Sequence, residues 1–238
     1  MTKAIKTDFE SLRLFINDFD LKESFKDEDF QKITSTYHKK YFSYLTFVEE
    51  LAVATTGKNK VLGEEQQSFL RESCSDCGQA FFLLMCGCYK GMRLLLRASI
   101  ESFIKAISLD EEHNICSIKN VYEVFEKAKG ISLFVDKDND RMKLFHMIHG
   151  EYKHLCQDVH IAGKDNMEGI SALSYFPAFD KDKSEKVSKI ALRLMQCYIT
   201  ILAFKYNEVF HKIGFVNKEI IQHNFFSNYR KAINHIED

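Results

Sequence analysis

Two helical segments carry the polar side chains whose types and spacing could support acid–base or phosphate chemistry. In the first segment, Arg97, Glu101 and Lys105 follow one another at intervals of four residues beside an apolar stripe. Side chains four residues apart lie on the same face of a helix, so oppositely charged neighbours can pair. Periodicity alone favours a solvent-exposed ladder of such pairs. The alternative is an inward-facing Arg97–Glu101 pair that orients a group on a second helix.

The second segment, YKHLCQDVH, covers residues 152–160. Tyr152 belongs to a predicted core stripe. His160 lies at the edge of that stripe, on the same side as Lys153 and Cys156. A histidine with an ordinary pKa of about 6.5 can act as a general acid or base near neutral pH. A histidine at a helix C-terminus can equally serve to interact favourably with the helix dipole, and both interpretations stay open.

The same segment contains residues at metal-ligand spacing. His154 and Asp158 are four residues apart, and His146 and His149 are three apart, so either pair could form one edge of a metal site. No second set of ligands with matching spacing completes either site. We therefore predict that no metal is bound there.

Four cysteines form a C-x-x-C motif at Cys74 and Cys77 and a C-x-C motif at Cys86 and Cys88. If the residues between them are helical, Cys77 and Cys86 are separated by about 13 Å. Tetrahedral zinc requires every sulfur about 2.3 Å from one ion, so a single site would need a broken helix. The sequence also contains no glycine-rich phosphate-binding motif. We therefore expect no zinc and no cofactor.

Composition predicts an all-α protein. The 238 residues contain a single proline, which fits long uninterrupted helices. The 33 basic and 34 acidic residues give a net charge of -1, so no global field attracts nucleic acid. Seven cysteines without a signal peptide predict free thiols in a reducing cytoplasm. The longest apolar runs, residues 80–89 and 197–204, fall short of the roughly 20 residues that span a bilayer, so we expect no membrane association.

Helical periodicity extends over nearly the whole chain. A glycine at position 57 is expected to stop the second helix, followed by a loop over residues 58–62. The long irregular stretch at residues 163–183 is expected to be functional or mobile. The predicted helices cover residues 8–18, 27–55, 63–87, 89–109, 117–129, 138–162, 184–212 and 217–236. Residues 63–87 and 89–109 form either an antiparallel pair or one long bent helix, and Gly87 and Gly91 favour a break between them.

The C-terminal segment FFSNYRKAINH, residues 225–235, mixes aromatic side chains with Arg230 and Lys231. Aromatic stacking combined with positive charge can hold single-stranded nucleic acid. The same pattern is more typical of an amphipathic helix that packs its aromatic side chains on a core, and we favour that interpretation.

Several short motifs resemble those of the HEPN-like helical domain family. Gly87-Cys88-Tyr89 resembles the family's Gly-x-Tyr turn. The resemblance covers roughly residues 63–214 and implies an antiparallel HEPN-like bundle. It leaves residues 1–62 as an N-terminal helical extension and residues 215–238 as a C-terminal helix packed on the bundle. The other matching positions are Arg97, Ala98, Glu101, Lys105 and Ala106 in the next helix, and Tyr152, Leu155, Cys156 and His160 in an ending similar to that of bacterial abortive-infection relatives.

The resemblance also implies a site. In ribonuclease members an Arg and a His, separated by about four to six residues, work across a dimer on the phosphate and the 2′-hydroxyl of RNA. His160 occupies the position of the His as general acid and base. The expected Arg is absent, and Lys153 is the basic residue at the permitted spacing. Arg97 and Glu101 would orient these groups. The supporting residues would be Tyr152, His154, Cys156 and Asp158.

Two functions follow as expectations. The first is an RNA-binding component of a bacterial anti-phage defence or toxin–antitoxin system, a homodimer that cleaves RNA without metal if it is an enzyme. The second is a non-catalytic interaction or scaffold subunit that partners a separate nuclease or ATPase. The absent Arg and the near-zero net charge favour the second, whereas the position of His160 beside Lys153 favours the first.

Overall fold

A computed structural model describes residues 10–11, 13–15, 18–56, 58–135, 140–159 and 173–234 of the chain. Of these residues 76% are helical, and the sheet found among them is a two-stranded ribbon. The predicted all-α class is therefore confirmed. The finer prediction of an HEPN-like bundle stays a prediction.

Long helices alternate with short connections along the chain. The helices are α1 Glu28–Val53, α2 Glu64–Met85, α3 Tyr89–Ser108, α4 Val121–Lys129, α5 Asp140–Val159, α6 Lys181–Lys205, α7 Asn207–Lys212, α8 Phe215–Gln222 and α9 Arg230–Asn234. Single 3-10 turns cover Ser24–Lys26, Ile115–Ser117 and Leu173–Tyr175. The strands β1 Thr55–Thr56 and β2 Asn59–Lys60 pair in antiparallel register between α1 and α2.

Helices α2 and α3 form an antiparallel hairpin around Gly87. This residue has a φ of 79°, which glycine adopts without steric cost, and a Cβ at this position would collide with the carbonyl oxygen of Ala178. At the far end of the hairpin, Gln66 Nε2 donates a hydrogen bond of 2.9 Å to the carbonyl oxygen of Ala106. The break at Gly87 therefore produces two packed helices rather than one long bent helix.

Two predicted boundaries shift because local side-chain chemistry overrides apolar periodicity. Helix α1 ends two residues before its predicted end, since Thr55–Thr56 forms a strand and β-branched residues favour extended backbone. The strand Asn59–Lys60 also replaces part of the predicted loop. Helix α4 begins four residues late, because the side chain of Asn120 accepts a hydrogen bond from the amide of Tyr122 and caps the helix there. Gly57 lies outside the described residues.

The predicted helix at residues 184–212 is in fact two helices. Helix α6 begins at residue 181, because the carboxylate of Asp180 accepts a 3.0 Å hydrogen bond from the amide of Lys183. At its other end, Tyr206 leaves helical conformation with φ −116° and ψ 42° and separates α6 from α7. The prediction was wrong because an apolar stripe continues across this break.

The predicted helix at residues 217–236 is likewise divided into α8 and α9. The turn between them contains Asn224, which is 2% exposed. Its side-chain amide donates hydrogen bonds of 2.5 Å to Ser43 Oγ and 3.2 Å to the carbonyl oxygen of Ile220. Local bonds of this kind compete with the helical pattern and fix the turn against α1.

Three further predicted segments are described only in part. The predicted helix at residues 138–162 is seen as α5, Asp140–Val159, and its remaining residues lie outside the described part of the chain. Of the predicted helix at residues 8–18, residues 10–11, 13–15 and 18 are described and are helical. Of the irregular stretch at residues 163–183, the description begins at residue 173.

One hydrophobic core takes side chains from Tyr37 in α1 through Ile233 in α9. Aromatic rings fill its centre, where Phe103 stacks on Tyr198 with a centroid separation of 4.1 Å and Tyr44 lies 5.4 Å from the same tyrosine. Large aromatic side chains bury much apolar area and account for most of the favourable free energy of such a core. The long helices are thereby held in fixed mutual positions, which is what a site built between them requires.

Helix α6 is the one described helix that is long and apolar enough to cross a bilayer by length and composition. Its most apolar window has 67% of its residues buried inside the fold. A buried core helix meets the same criterion, so this is weak support for a membrane span.

Candidate functional site

A polar cluster joins α3 to α5. Arg97 Nε lies 3.2 Å from Glu101 Oε1 and also donates a 3.2 Å hydrogen bond to the hydroxyl oxygen of Tyr152. The Tyr152 hydroxyl in turn donates a 2.9 Å hydrogen bond to the same Glu101 oxygen. Three of the predicted site residues therefore meet, in one closed hydrogen-bonded triangle across two helices.

The position of Tyr152 follows from aromatic packing beneath the triangle. Its ring lies 5.0 Å from that of Phe125 in α4, and the residue is 9% exposed. The guanidinium carbon of Arg97 lies 5.4 Å from the centre of the same ring, within the range of a cation–π contact. The apolar contacts thus place the hydroxyl at the edge of the core, where it reaches the two charged side chains.

Arg97 and Glu101 act in opposite directions on the pKa of Tyr152. Burial raises the pKa of Tyr152, and the hydrogen bond and charge of Glu101 raise it further, whereas the hydrogen bond from Arg97 lowers it. Burial lowers the pKa of Arg97, but its hydrogen bond to Tyr152 and nearby Glu101 leave it raised overall. Tyr152 therefore stays a neutral donor, and Arg97 stays a cation at any physiological pH.

The terminal nitrogens of Arg97 are the chemically versatile part of the cluster. The side chain is 29% exposed, and its hydrogen bonds to described residues all use Nε, which leaves both Nη groups without a partner in that part of the chain. A guanidinium fork binds a carboxylate or phosphate through two parallel hydrogen bonds. An arginine held at Nε has lost part of its side-chain entropy already, so anion binding costs less.

Asp76 in α2 is a carboxyl group of this region that sequence periodicity did not identify. It is 5% exposed, and none of the described residues donates a hydrogen bond to it. Burial raises the pKa of Asp76 to about 6, and the negative charges of Glu72 and Glu101 raise it in the same direction. The signal was present in the sequence, since Asp76 lies one turn from Ser73 and Ala80 on a stripe of buried residues.

Lys153 lies apart from the triangle. It is exposed and forms no ion pair with any carboxylate among the described residues. Burial of the imidazole lowers the pKa of His149, and the positive charge of nearby Lys153 lowers it further. His149 itself stacks on Phe125 at 4.5 Å. Cys156 is half-buried one turn after Tyr152, in the neighbourhood of Arg97.

The remaining predicted residues lie on another side of α5 or cannot be placed. His154 is exposed, and its Nδ1 lies 4.0 Å from Glu151 Oε2. The structure describes the backbone of Asp158 but not its side chain, and His160 lies outside the described residues. The predicted pairing of Lys153 with His160 therefore stays a prediction.

Glu151 was not identified from the sequence. Its carboxylate is nearly buried and accepts a 2.6 Å hydrogen bond from Arg193 Nη1 of α6, which ties α5 to that helix. Arg193 is separated from it by 42 positions in the chain. A partner so distant in sequence carries no periodic signal.

The Gly-x-Tyr turn has a structural role. The hydroxyl of Tyr89 accepts hydrogen bonds of 2.8 Å from the amide of Asp180 and 2.9 Å from Ser184 Oγ. Gly87 permits the close approach of Ala178 to the same corner. The motif thus fastens the α2–α3 corner to the start of α6 and contributes to the position of α6.

Neither the lysine of the predicted ladder nor the cysteines form a reactive centre in the described residues. Lys105 Nζ donates to the carbonyl oxygen of Cys116 at 3.3 Å, so the charge ladder ends at Glu101. All seven cysteines are free, and burial raises the pKa of Cys74 to about 12, which keeps it a thiol. The part of the chain that the structure describes contains no group of three or more His, Cys, Asp or Glu placed to hold a metal.

A second surface with binding character is the α1–α2 face, defined by His38, Tyr41, Phe42, Phe81, Phe82 and Met85. Phe42 and Phe82 are each about half exposed, at 46% and 53%. A groove of about 690 Å³ runs beside Phe81 and Met85, and a second of about 440 Å³ lies beside Tyr41 and Phe82. Large exposed apolar side chains next to such grooves are typical of interaction surfaces.

The chain matches no protein-family model, no curated protein and no solved structure.

Proposed function

We propose that this protein binds RNA as a component of a bacterial anti-phage defence or toxin–antitoxin system, with Arg97 holding a phosphate group. The observation that supports the proposal is the guanidinium fork of Arg97, which is held at Nε by Glu101 and Tyr152 and whose Nη groups have no partner among the described residues. The resemblance of Gly87-Cys88-Tyr89 and of the helix ending at His160 to HEPN-like domains supplies the biological setting.

The chemistry of cleavage would need no metal. The 2′-hydroxyl oxygen attacks the adjacent phosphorus, the bond to the 5′-oxygen breaks, and the products carry a 2′,3′-cyclic phosphate and a 5′-hydroxyl. His160 takes the proton from the 2′-hydroxyl and returns one to the leaving oxygen. Arg97 and Lys153 would stabilise the charge on the phosphoryl oxygens, in a homodimer that brings the two halves of the site together.

The experiment that tests this proposal is an RNA-cleavage assay in EDTA with wild type and His160→Ala, with molar mass measured by light scattering on the same samples. The proposal expects cleavage by a dimeric wild type and none by the variant, with unchanged thermal stability. Wild-type protein that binds RNA but leaves it intact would limit the function to RNA binding. Protein that neither binds nor cleaves RNA would contradict the proposal.

The second candidate is a non-catalytic interaction subunit, which the α1–α2 face favours. The groove beside Tyr41 and Phe82 is lined by uncharged side chains, as in the desolvated centre of protein interfaces. The double variant Phe42→Ser with Phe82→Ser removes the exposed rings without touching the core. If this face binds protein, the variant loses the interaction and keeps its melting temperature, whereas RNA binding through Arg97 should be unaffected.

A further inference from the structure

The side chains of Lys40 and Arg230 meet where α1 passes the turn between α8 and α9, close enough to Lys39 for its charge to act on Lys40. Lys40 Nζ lies 3.5 Å from the carbonyl oxygen of Asn224. Arg230 Nη2 donates a 3.2 Å hydrogen bond to the carbonyl oxygen of His223, the neighbouring residue of the same turn. Lys39 is the adjacent residue of α1 and is exposed. Carbonyl oxygens of a single turn therefore hold two of the cations on one surface.

The scaffold beneath these cations is rigid. The buried side chain of Asn224 donates a hydrogen bond to Ser43 Oγ, and Ser43 Oγ itself lies 3.0 Å from the carbonyl oxygens of Lys39 and Ile220. These bonds connect α1, α8 and the turn that follows α8. The backbone beneath the cluster is thus fixed before any ligand arrives, which lowers the entropic cost of binding.

The positive charge of this cluster is not compensated. In the described part of the chain, Lys39, Lys40 and Arg230 form no ion pair with a carboxylate, whereas Arg71, Lys189 and Arg193 do. Burial lowers the pKa of Lys40 to about 8, and the positive charges of Lys39 and Arg230 lower it in the same direction. An anion bound between these groups would raise the pKa of Lys40 again, because it would offset both the burial of the amine and the repulsion from Lys39 and Arg230.

We propose that Lys39, Lys40 and Arg230 form a binding site for a phosphate group, separate from Arg97. The site recognises phosphate through charge and through the arginine fork. Phe225 and Tyr229 of the same segment are buried in the core and Phe226 is partly buried against it, so the site relies on charge rather than on base stacking. The phosphate belongs either to the RNA backbone or to a small phosphorylated molecule, and the site holds it independently of the RNA binding proposed for Arg97.

The amine of Lys40 provides a direct test, because a bound phosphate raises its pKa and removes the reactive neutral form. Limited acetylation at pH 8, measured by peptide mass spectrometry, reports the reactivity of Lys40 against that of the exposed Lys212 in the same sample. The probes are inorganic pyrophosphate and a single-stranded RNA of about 12 nucleotides. We expect each probe to reduce acetylation of Lys40 severalfold and to leave Lys212 unchanged.

Matched variants connect that protection to the site. Arg230→Gln should weaken the protection of Lys40 from acetylation about tenfold. In a separate measurement of RNA affinity against salt concentration, Lys40→Gln and Arg230→Gln should each reduce the slope by about one phosphate contact. Lys212→Gln, which makes the same charge change on an exposed ion pair, should have no effect. Protection by pyrophosphate but not by RNA would support the site and assign it to a small phosphorylated molecule. Lys40 reactivity that neither probe changes would overturn the proposal, whatever the outcome at Arg97.

Discussion

The hydroxyl of Tyr152 and the carboxylate of Glu101 lie 2.9 Å apart across the α3–α5 interface, and both hold the same nitrogen of Arg97. The pair acts as a brace between two helices and also restrains the arginine at its Nε. The hydrogen bond therefore contributes both to the stability of the fold and to the position of Arg97 for binding, and substitutions can separate the two contributions.

Tyr152→Phe removes the hydroxyl and keeps the ring on Phe125. We expect a loss of about 1–2 kcal/mol in the free energy of unfolding, because one hydrogen bond to each of two charged groups disappears at a nearly buried position. Urea denaturation measures the change. Tyr122→Phe, on a tyrosine that is 68% exposed, should cost less than about 0.5 kcal/mol. Equal effects of the two variants would show that the brace is not energetically coupled to folding.

Asp76→Asn should stabilise the protein, and increasingly so with rising pH. The pKa of Asp76 is about 6 in the folded state against 3.8 in the unfolded chain, so folding stability falls as pH rises through that interval. Asparagine resembles the protonated acid and escapes this loss. We expect the stability gain of the variant to grow by about 1 kcal/mol between pH 5 and pH 8.

Denaturation curves at the two pH values test the role of Asp76, with Glu208→Gln on an exposed carboxylate as the control. The control should show no such growth. A gain for Asp76→Asn that is the same at pH 5 and pH 8 would mean that the carboxyl group is solvated in the folded state.

Gly87→Ala should destabilise the fold by more than about 2 kcal/mol, because the residue has positive φ and its Cβ would collide with the carbonyl oxygen of Ala178. Gly150→Ala is the matched control. It lies within α5, where a Cβ meets nothing within 4 Å, and should stabilise by up to about 1 kcal/mol. Thermal melts of both variants check the prediction. A Gly87→Ala variant with the stability of wild type would indicate that the backbone of the α2–α3 corner can move away from Ala178 with no loss of free energy.

Arg193→Met should cost about 1–3 kcal/mol, because it leaves the nearly buried carboxylate of Glu151 without its strongest partner. Arg71→Met breaks a comparable pair with Glu49, but both of those side chains are about half exposed. Exposed ion pairs contribute little, so we expect less than about 0.5 kcal/mol for the control. Denaturation of both variants in guanidinium chloride measures the two losses in the free energy of unfolding. Equal losses would contradict the expectation that the buried carboxylate of Glu151 makes its ion pair the more important one.

Periodicity in the sequence predicted helices α2 and α3 to within two residues, because apolar spacing, Gly87 and the Gly63 start agree there. It failed where a polar side chain decides a boundary, as Asp180 and Asn120 do at helix starts, and where Tyr206 interrupts an apolar stripe. It predicted that Arg97 and Glu101 share a face, but not that Tyr152 completes the triangle. That contact depends on how α5 packs on α3, which no local pattern encodes.

The most direct test of the account is the affinity of purified protein for a single-stranded RNA at low and moderate salt, measured for wild type, Arg97→Lys and Tyr152→Phe, with Lys212→Gln as a charge control. Lysine keeps the charge and loses the fork. The account predicts that Arg97→Lys weakens binding about tenfold or more, that Tyr152→Phe has a smaller effect despite its loss of stability, and that the control binds like wild type. Equal affinity of wild type and Arg97→Lys would contradict the claim that the guanidinium fork of Arg97 holds a phosphate.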